Sequence, residues 1–169
     1  MRHSKQEFTS ANTSINSNKL PAIFKLVKFN PDTTNLDYGG GKFDNATEYL
    51  KEKCVTNLIY DPYNRTAEHN TNVLNTIWGN GGADTCTLSN VLNVVKEKNI
   101  RVEILENIKE LLKPNGTLYI TVYEGTGLAD ERVTKAGYQL NRKTKDYLEE
   151  VKSVFGNVTQ RGKLIIAKD

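Results

Sequence analysis

Hydrophobic residues fall in short runs separated by polar turns, and the runs alternate between two periodicities. Residues 35–38, 56–60, 83–88 and 117–123 are apolar or β-branched stretches of strand length. The last has no polar face, as in a central strand buried on both sides. Between these runs, apolar residues recur at three-to-four-residue spacing, which predicts helices. One begins near Asn45, a candidate N-cap with Glu48 three residues on, and turns Ala46, Tyr49, Leu50 and Cys54 inward. Another covers about 66–78, with Val73, Leu74, Ile77 and Trp78 on one side. The strongest covers 96–113, where Ile104, Leu105, Ile108, Leu111 and Leu112 form a stripe that Pro114-Asn115-Gly116 ends. Shorter helices are predicted at 21–29, opened by Pro21, and at 144–155. Residues 156–159 and 163–167 read as strands around a tight turn near Arg161-Gly162, an antiparallel hairpin. Alternating strands and helices followed by a hairpin predict an open, mostly parallel α/β sheet. Residues 125–140 show no regular pattern. Residues 1–18 are rich in Ser, Asn and Thr and predict a flexible arm before a single domain at 19–169.

The length of 169 residues agrees with one domain. No apolar run approaches the roughly 20 residues that span a bilayer. The N-terminal residues contain no apolar signal core, so a cytoplasmic protein without membrane contact is expected. Cys54 and Cys86 lack CxxC spacing and stand among apolar neighbours, which predicts buried free thiols. With His3 and His69 the only histidines, no metal site is expected. The net charge of +3 is unevenly spread: residues 132–169 carry nine basic and four acidic side chains. The segment 132–163 suits a polyanion such as nucleic acid, and equally a solvated helix face.

Candidate chemistry lies at the predicted strand ends, where open α/β sheets bind their ligands. Asp37-Tyr38-Gly39-Gly40-Gly41 is a glycine turn after the first strand. Glycines let backbone approach a ligand closely, and the following helix start offers unpaired N–H groups. A carboxylate at Asp37 opposes a phosphate and suits an ammonium group. Asp61 ends the second strand, twenty residues beyond Gly41, the offset of an acid that binds ribose hydroxyls. A dinucleotide fingerprint fails, because Asp44 stands where its last glycine belongs. Ser89 and Asn90 follow the third strand, and Tyr123 and Glu124 the fourth. Arg65, His69 and Asn70 cluster after Asp61, with His69 open as a general base or a packing residue.

The glycine turn, Tyr60-Asp61, residues 83–93 and residues 111–122 together resemble the class I S-adenosylmethionine-dependent methyltransferases. Within that family the chain is most similar to small stand-alone members of tailed phages and mobile elements. The resemblance implies a Rossmann-like three-layer αβα sandwich, with strand order 3-2-1-4-5-7-6 and an antiparallel C-terminal hairpin. It implies S-adenosylmethionine as cofactor. Asp37, Tyr38, Gly39, Gly40 and Gly41 would meet the methionyl part. Asp61 would take the ribose, Pro62 and Tyr63 would lie by the adenine, and Ser89 and Asn90 would line the floor near the methyl group. Two residues stand as catalytic candidates. Asn90 would accept a hydrogen bond from an amino substrate, or else cap the next helix. Glu124 would act as a base or orient a substrate, or else is a loop carboxylate. Only about 22 residues separate Asp61 from the next strand, so the family's third strand is expected to be short or missing, and its adenine contact unassigned. Asp61-Pro62-Tyr63 also resembles the signature of amino-group DNA methyltransferases with one proline deleted, though at the ribose position.

The expected function is methyl transfer to a nucleic-acid base or a small molecule. The alternatives are a non-catalytic cofactor-binding or decoy protein, and an enzyme that cleaves the cofactor. A sulfonium donor is already reactive, so alignment and desolvation suffice and no catalytic triad is needed.

Overall fold

Four of the predicted strands pair in parallel in one sheet: β1 (Thr34–Tyr38), β2 (Thr56–Tyr60), β3 (Ala83–Ser89) and β4 (Leu112–Thr121). The structure is a computed structural model that describes residues 1–9 and 18–169. The C-terminal hairpin of β7 (Asn157–Arg161) and β8 (Leu164–Lys168) adds to β4 in antiparallel fashion. The order is β2-β1-β3-β4-β8-β7. This is the order that the resemblance implied with its third strand removed, so β2 is an edge.

Strand alternation divides the sheet into two faces. Leu36, Cys86, Leu118 and Ile165 are fully buried on one face. They pack with residues of α3 (Ala67–Gly79), α4 (Lys98–Leu111) and α5 (Leu148–Lys152). Burying each such side chain stabilises by about 1.5–3 kcal/mol. On the other face, α1 (Ile23–Leu26) and α2 (Asn45–Lys51) form a smaller cluster with Val55, Leu164, Tyr119 and Ile166.

The edge at β2 is closed by side chains. Thr66 caps α3 by accepting from the His69 N–H, 3.1 Å. That cap aims the start of the helix at the strand. The His69 ring donates Nε2–H to the Ile59 carbonyl, 2.7 Å. Asn70 accepts from Asp61 N–H (3.0 Å) and donates to Asp61 C=O (2.9 Å), as a neighbouring strand would. Open edge groups invite pairing with other chains. His69 thus serves as an edge cap on β2.

Several local expectations change. Residues 21–29 yield only the single turn α1. Asp44, and not Asn45, occupies the N-cap of α2, without a side-chain cap bond. That helix ends at Lys51, so Cys54 lies beyond it, exposed and at φ 59°, and does not face the sheet. Helix α4 runs directly into β4. Pro114-Asn115-Gly116 lies in the irregular start of that strand, where the register shifts between the Ala83–Leu112 and Thr85–Thr117 pairs. The helix predicted at 144–155 is a 3-10 turn, Thr144–Tyr147, followed by α5. Residues 125–140, predicted irregular, contain a second small sheet of β5 (Asp130–Thr134) and β6 (Gly137–Asn141). The Asp130 carboxylate fixes its base by accepting from Thr126 and from Asn141.

The first nine residues, expected within a flexible arm, lie along α4. Residues 10–17 fall outside the described residues. Among the described residues, no helix is long and apolar enough to cross a membrane.

Candidate functional site

The glycine turn is shaped by what it touches. Gly39 has φ 74°, and a Cβ there would fall 2.6 Å from Val91 Cγ2, in the loop after β3. A Cβ on Gly40 would fall 2.5 Å from Asp37 Oδ2 and 3.0 Å from Ile59 Cγ2. The chain therefore folds down onto the Asp37 carboxylate, an approach that only glycine permits. Beneath it, on the α2 face, runs a buried polar ladder. Thr85 Oγ1 donates to Asn35 Oδ1 (2.7 Å), and Asn35 Nδ2 donates to Asn57 Oδ1 (2.8 Å) and Thr87 Oγ1 (3.0 Å). Asn57 Nδ2 reaches Thr47 Oγ1 at 3.2 Å. Thr87 Oγ1 donates to Asp37 Oδ1 at 3.1 Å, where the ladder ends. Burial outweighs that bond, and with repulsion from Asp61 it pushes the Asp37 carboxyl up to about 7. The site thus holds a desolvated acid that an arriving ammonium would ionise.

Asp61 stands at the end of β2, 3% exposed. Its Oδ1 accepts from the N–H groups of Tyr63 and Asn64, 3.0 Å each. Its Oδ2 accepts from Gly41 N–H at 2.9 Å and from Asn64 Nδ2 at 3.1 Å. The turn and the acid are thereby joined directly. Arg65 locks the same turn from outside: Nε donates to the Gly41 carbonyl (2.8 Å), while Nη2 reaches Asp44 Oδ1 (2.8 Å) and the Phe43 carbonyl.

These groups line one cavity of about 350 Å³. Asp37, Tyr38, Gly39, Gly40, Gly41, Asp61, Pro62, Tyr63, Ser89 and Asn90, the residues that the sequence suggested for a cofactor site, all border it. The Tyr38 ring lies tilted on the Tyr60 ring with centroids 5.0 Å apart, and burial pushes its hydroxyl up. Asn90 takes φ 56°, a conformation its residue type tolerates, and its N–H donates to the Thr121 carbonyl at 2.9 Å. Asn90 is exposed and borders the cavity.

Glu124 is not brought to the cavity. Its Oε2 accepts from Thr144 N–H at 2.7 Å, and its Oε1 pairs with Lys163 at 3.0 Å. The Thr144 bond, then Lys163, hold its carboxyl down to about 2. Its position after β4 suggested catalysis, but it anchors the 3-10 turn before α5 to the C-terminal hairpin. The basic segment 132–163 is partly consumed in the same way, since Arg142 and Lys152 also pair with Glu150 and Glu149.

Part of the lining had no signal in the sequence. Arg2, His3, Ser4 and Gln6 border the cavity, as do Ile104 and Asn107 of α4. Residues 95–97, below them, are held by a buried ion pair. Arg101 donates Nε–H and Nη2–H to the two Glu150 oxygens (2.9 and 2.8 Å), and Nη1–H to the Val95 and Lys96 carbonyls.

Comparisons with known proteins agree with this architecture. The profile of the family described as "Methyltransferase domain" matches residues 13–151. Among solved structures, 1,6-didemethyltoxoflavin-N1-methyltransferase from Burkholderia thailandensis, with bound 1,6-didemethyltoxoflavin and S-adenosylhomocysteine, is similar at 18% identity and TM-score 0.60. That match covers 83% of this chain and 72% of the other. The (4+2)-cyclase SpnF is similar at 12% identity and TM-score 0.57, over 82% of this chain. This chain spans 57% of the cyclase, little more than half its length. An S-adenosylmethionine-dependent methyltransferase from Aquifex aeolicus is similar at 15% identity and TM-score 0.52, covering 85% and 84%. No curated protein matches. At these identities the structural likeness carries the fold, while the family profile spans most of the sequence: the chain belongs to the methyltransferase domain family.

Proposed function

We propose that this chain transfers a methyl group from S-adenosylmethionine to a small-molecule acceptor. One observation carries the reading. The Gly41 N–H meets Asp61 Oδ2 at 2.9 Å, so a methionyl cradle and a ribose acid adjoin in the wall of one cavity, with Asp37 beneath. The cofactor's ammonium would lie against Asp37 and supply the solvation that burial removed. Its ribose hydroxyls would take over the Asp61 oxygens. The sulfonium brings its own reactivity, so the protein has to align donor and acceptor and exclude water. Asn90 is the polar side chain best placed to orient an amino or hydroxyl acceptor.

Two observations support a small acceptor. The cavity is walled by Arg2, His3, Ser4, Gln6 and residues 19–21, and its volume lies in the range of small-molecule sites, about 300–1,000 Å³. Arg142, Lys152 and Lys163 already have carboxylate partners. A nucleic-acid base reached through 132–163 is the competing acceptor, and salt-sensitive retention of an oligonucleotide would favour it. The free thiols of Cys54 and Cys86 agree with a reducing, cytoplasmic setting.

Calorimetry with S-adenosylhomocysteine tests the site. The native chain should bind it, and Asp61→Ala should weaken binding about 10- to 100-fold through lost charge-assisted hydrogen bonds. Equal affinity in the folded variant would remove Asp61 from the site. Turnover that yields S-adenosylhomocysteine separates methyl transfer from a decoy. It also separates it from cofactor cleavage, which yields other products.

A further inference from the structure

Residues 2–7 run antiparallel to α4, held by side chains spaced along one side of that helix. Asn107 brackets the Arg2 backbone, accepting its N–H at 2.9 Å and donating to its carbonyl at 2.6 Å. Glu103 accepts Ser4 N–H at 2.7 Å and Ser4 Oγ–H at 2.5 Å. Glu97, just ahead of α4, accepts Glu7 N–H at 2.8 Å. With Arg2 and Ser4 fastened to the helix, the intervening His3 turns toward the sheet. Its ring stacks beside Tyr60, centroids 6.0 Å apart, and its Nε2 lies 2.9 Å from the Tyr60 hydroxyl. Tyr60 immediately precedes Asp61.

The cavity has a direction. Asp37 and the glycine turn mark the end for an ammonium and carboxylate, and Asp61 marks a ribose. A nucleoside continues from ribose to base, so the base must lie beyond Asp61, away from the turn. Among the described residues the sheet stops at β2, and no further strand end walls that space. Besides the turn and Val91, which packs on it, the cavity is bordered by Tyr63, Val95 and Ile104, with His3 and Gln6. Apolar faces with a few polar groups at the rim are what a flat heteroaromatic ring requires.

We propose that the N-terminal segment, through His3 and Gln6, forms the wall that binds the adenine of the cofactor. The proposal rests on the cofactor reading above. Recognition of the base then depends on residues about a hundred positions from the helix that holds them. His3 contributes a ring edge and face, while Ser4 and Arg2 fix its position through α4.

Adenosine, which lacks the methionyl part, is the probe that tests the wall. His3→Ala, and Ser4→Pro, which removes the N–H and hydroxyl that Glu103 accepts, should each weaken adenosine and S-adenosylhomocysteine by the same factor. Ring contacts to a base are worth about tenfold or more. Native affinity for both ligands in folded variants would overturn the proposal, and so would a loss confined to S-adenosylhomocysteine. If the native chain binds neither ligand, the cofactor reading fails first and this one falls with it. Amide exchange of the native chain is independent of any folding defect in the variants. Saturating adenosine should slow exchange at Ser4 and Glu7 at least tenfold, and unchanged rates would refute the wall.

Discussion

At the glycine-turn end of the cavity, residues 37–61 supply everything: two carboxylates, three glycines, and one N–H that ties strand end to strand end. At the α4 end, side chains of 103 and 107 hold the backbone of residues 2 and 4. The first end is local and made largely of backbone. The second is made of side chains and closes a loop of about a hundred residues. A backbone cradle tolerates little change at its glycines but little depends on its neighbours' identity. A side-chain cradle is the reverse, and its precision depends on every partner being present.

Breaking the second end should have the largest effect on stability. Arg101→Ala leaves Glu150 buried at 4% side-chain exposure, with Arg142 as its remaining partner, and frees the Val95 and Lys96 carbonyls. Removing one partner of a buried pair costs about 3–5 kcal/mol, measurable by urea unfolding. A loss under about 1 kcal/mol would mean that the α4 end is not held by this pair. The first end should break at a methyl group. Gly39→Ala combines φ 74° with a Cβ 2.6 Å from Val91, and strain of that kind costs about 1–3 kcal/mol. Affinity for S-adenosylhomocysteine should fall at least tenfold by calorimetry, and undiminished binding would place the ligand away from the turn.

The most diagnostic effect is the one that depends on pH. The Asp37 carboxyl titrates near 7 in the fold and near 4 when unfolded. Between those values the folded state holds the extra proton, so Asp37 makes stability fall as pH rises from about 4 to 7 and level off above. A bound ammonium favours the ionised form, so cofactor affinity should rise about tenfold per pH unit up to 7 and then flatten. Asp37→Asn should remove both slopes, and a pH-dependent affinity that survives the substitution would assign the titration to another group.

The glycine-turn end was legible because its signals are local. Asp37, the three glycines and Asp61 at its offset name a site before any contact is known, and the short gap to residue 83 announces the lost strand. The α4 end was not, because the first residues show no periodicity and use their backbones as the binding groups. Hairpin β5–β6 was missed for a related reason: every residue of β5 is exposed, so no alternation marks it. Glu124 drew attention by its place after a strand. Its partners, Thr144 and Lys163, are distant in sequence, and only the fold reveals them.

The side chains that close β2 come from the helix that follows it. Residues 56–79 therefore carry their own border: the strand, and nine or ten positions later the groups that finish its rim. Such a strand–helix piece is self-terminating, and a sheet built to this point needs no further unit to stop. Trimming the fold here leaves a hem instead of a torn edge, and extension by strand addition along β2 must first displace His69 and Asn70.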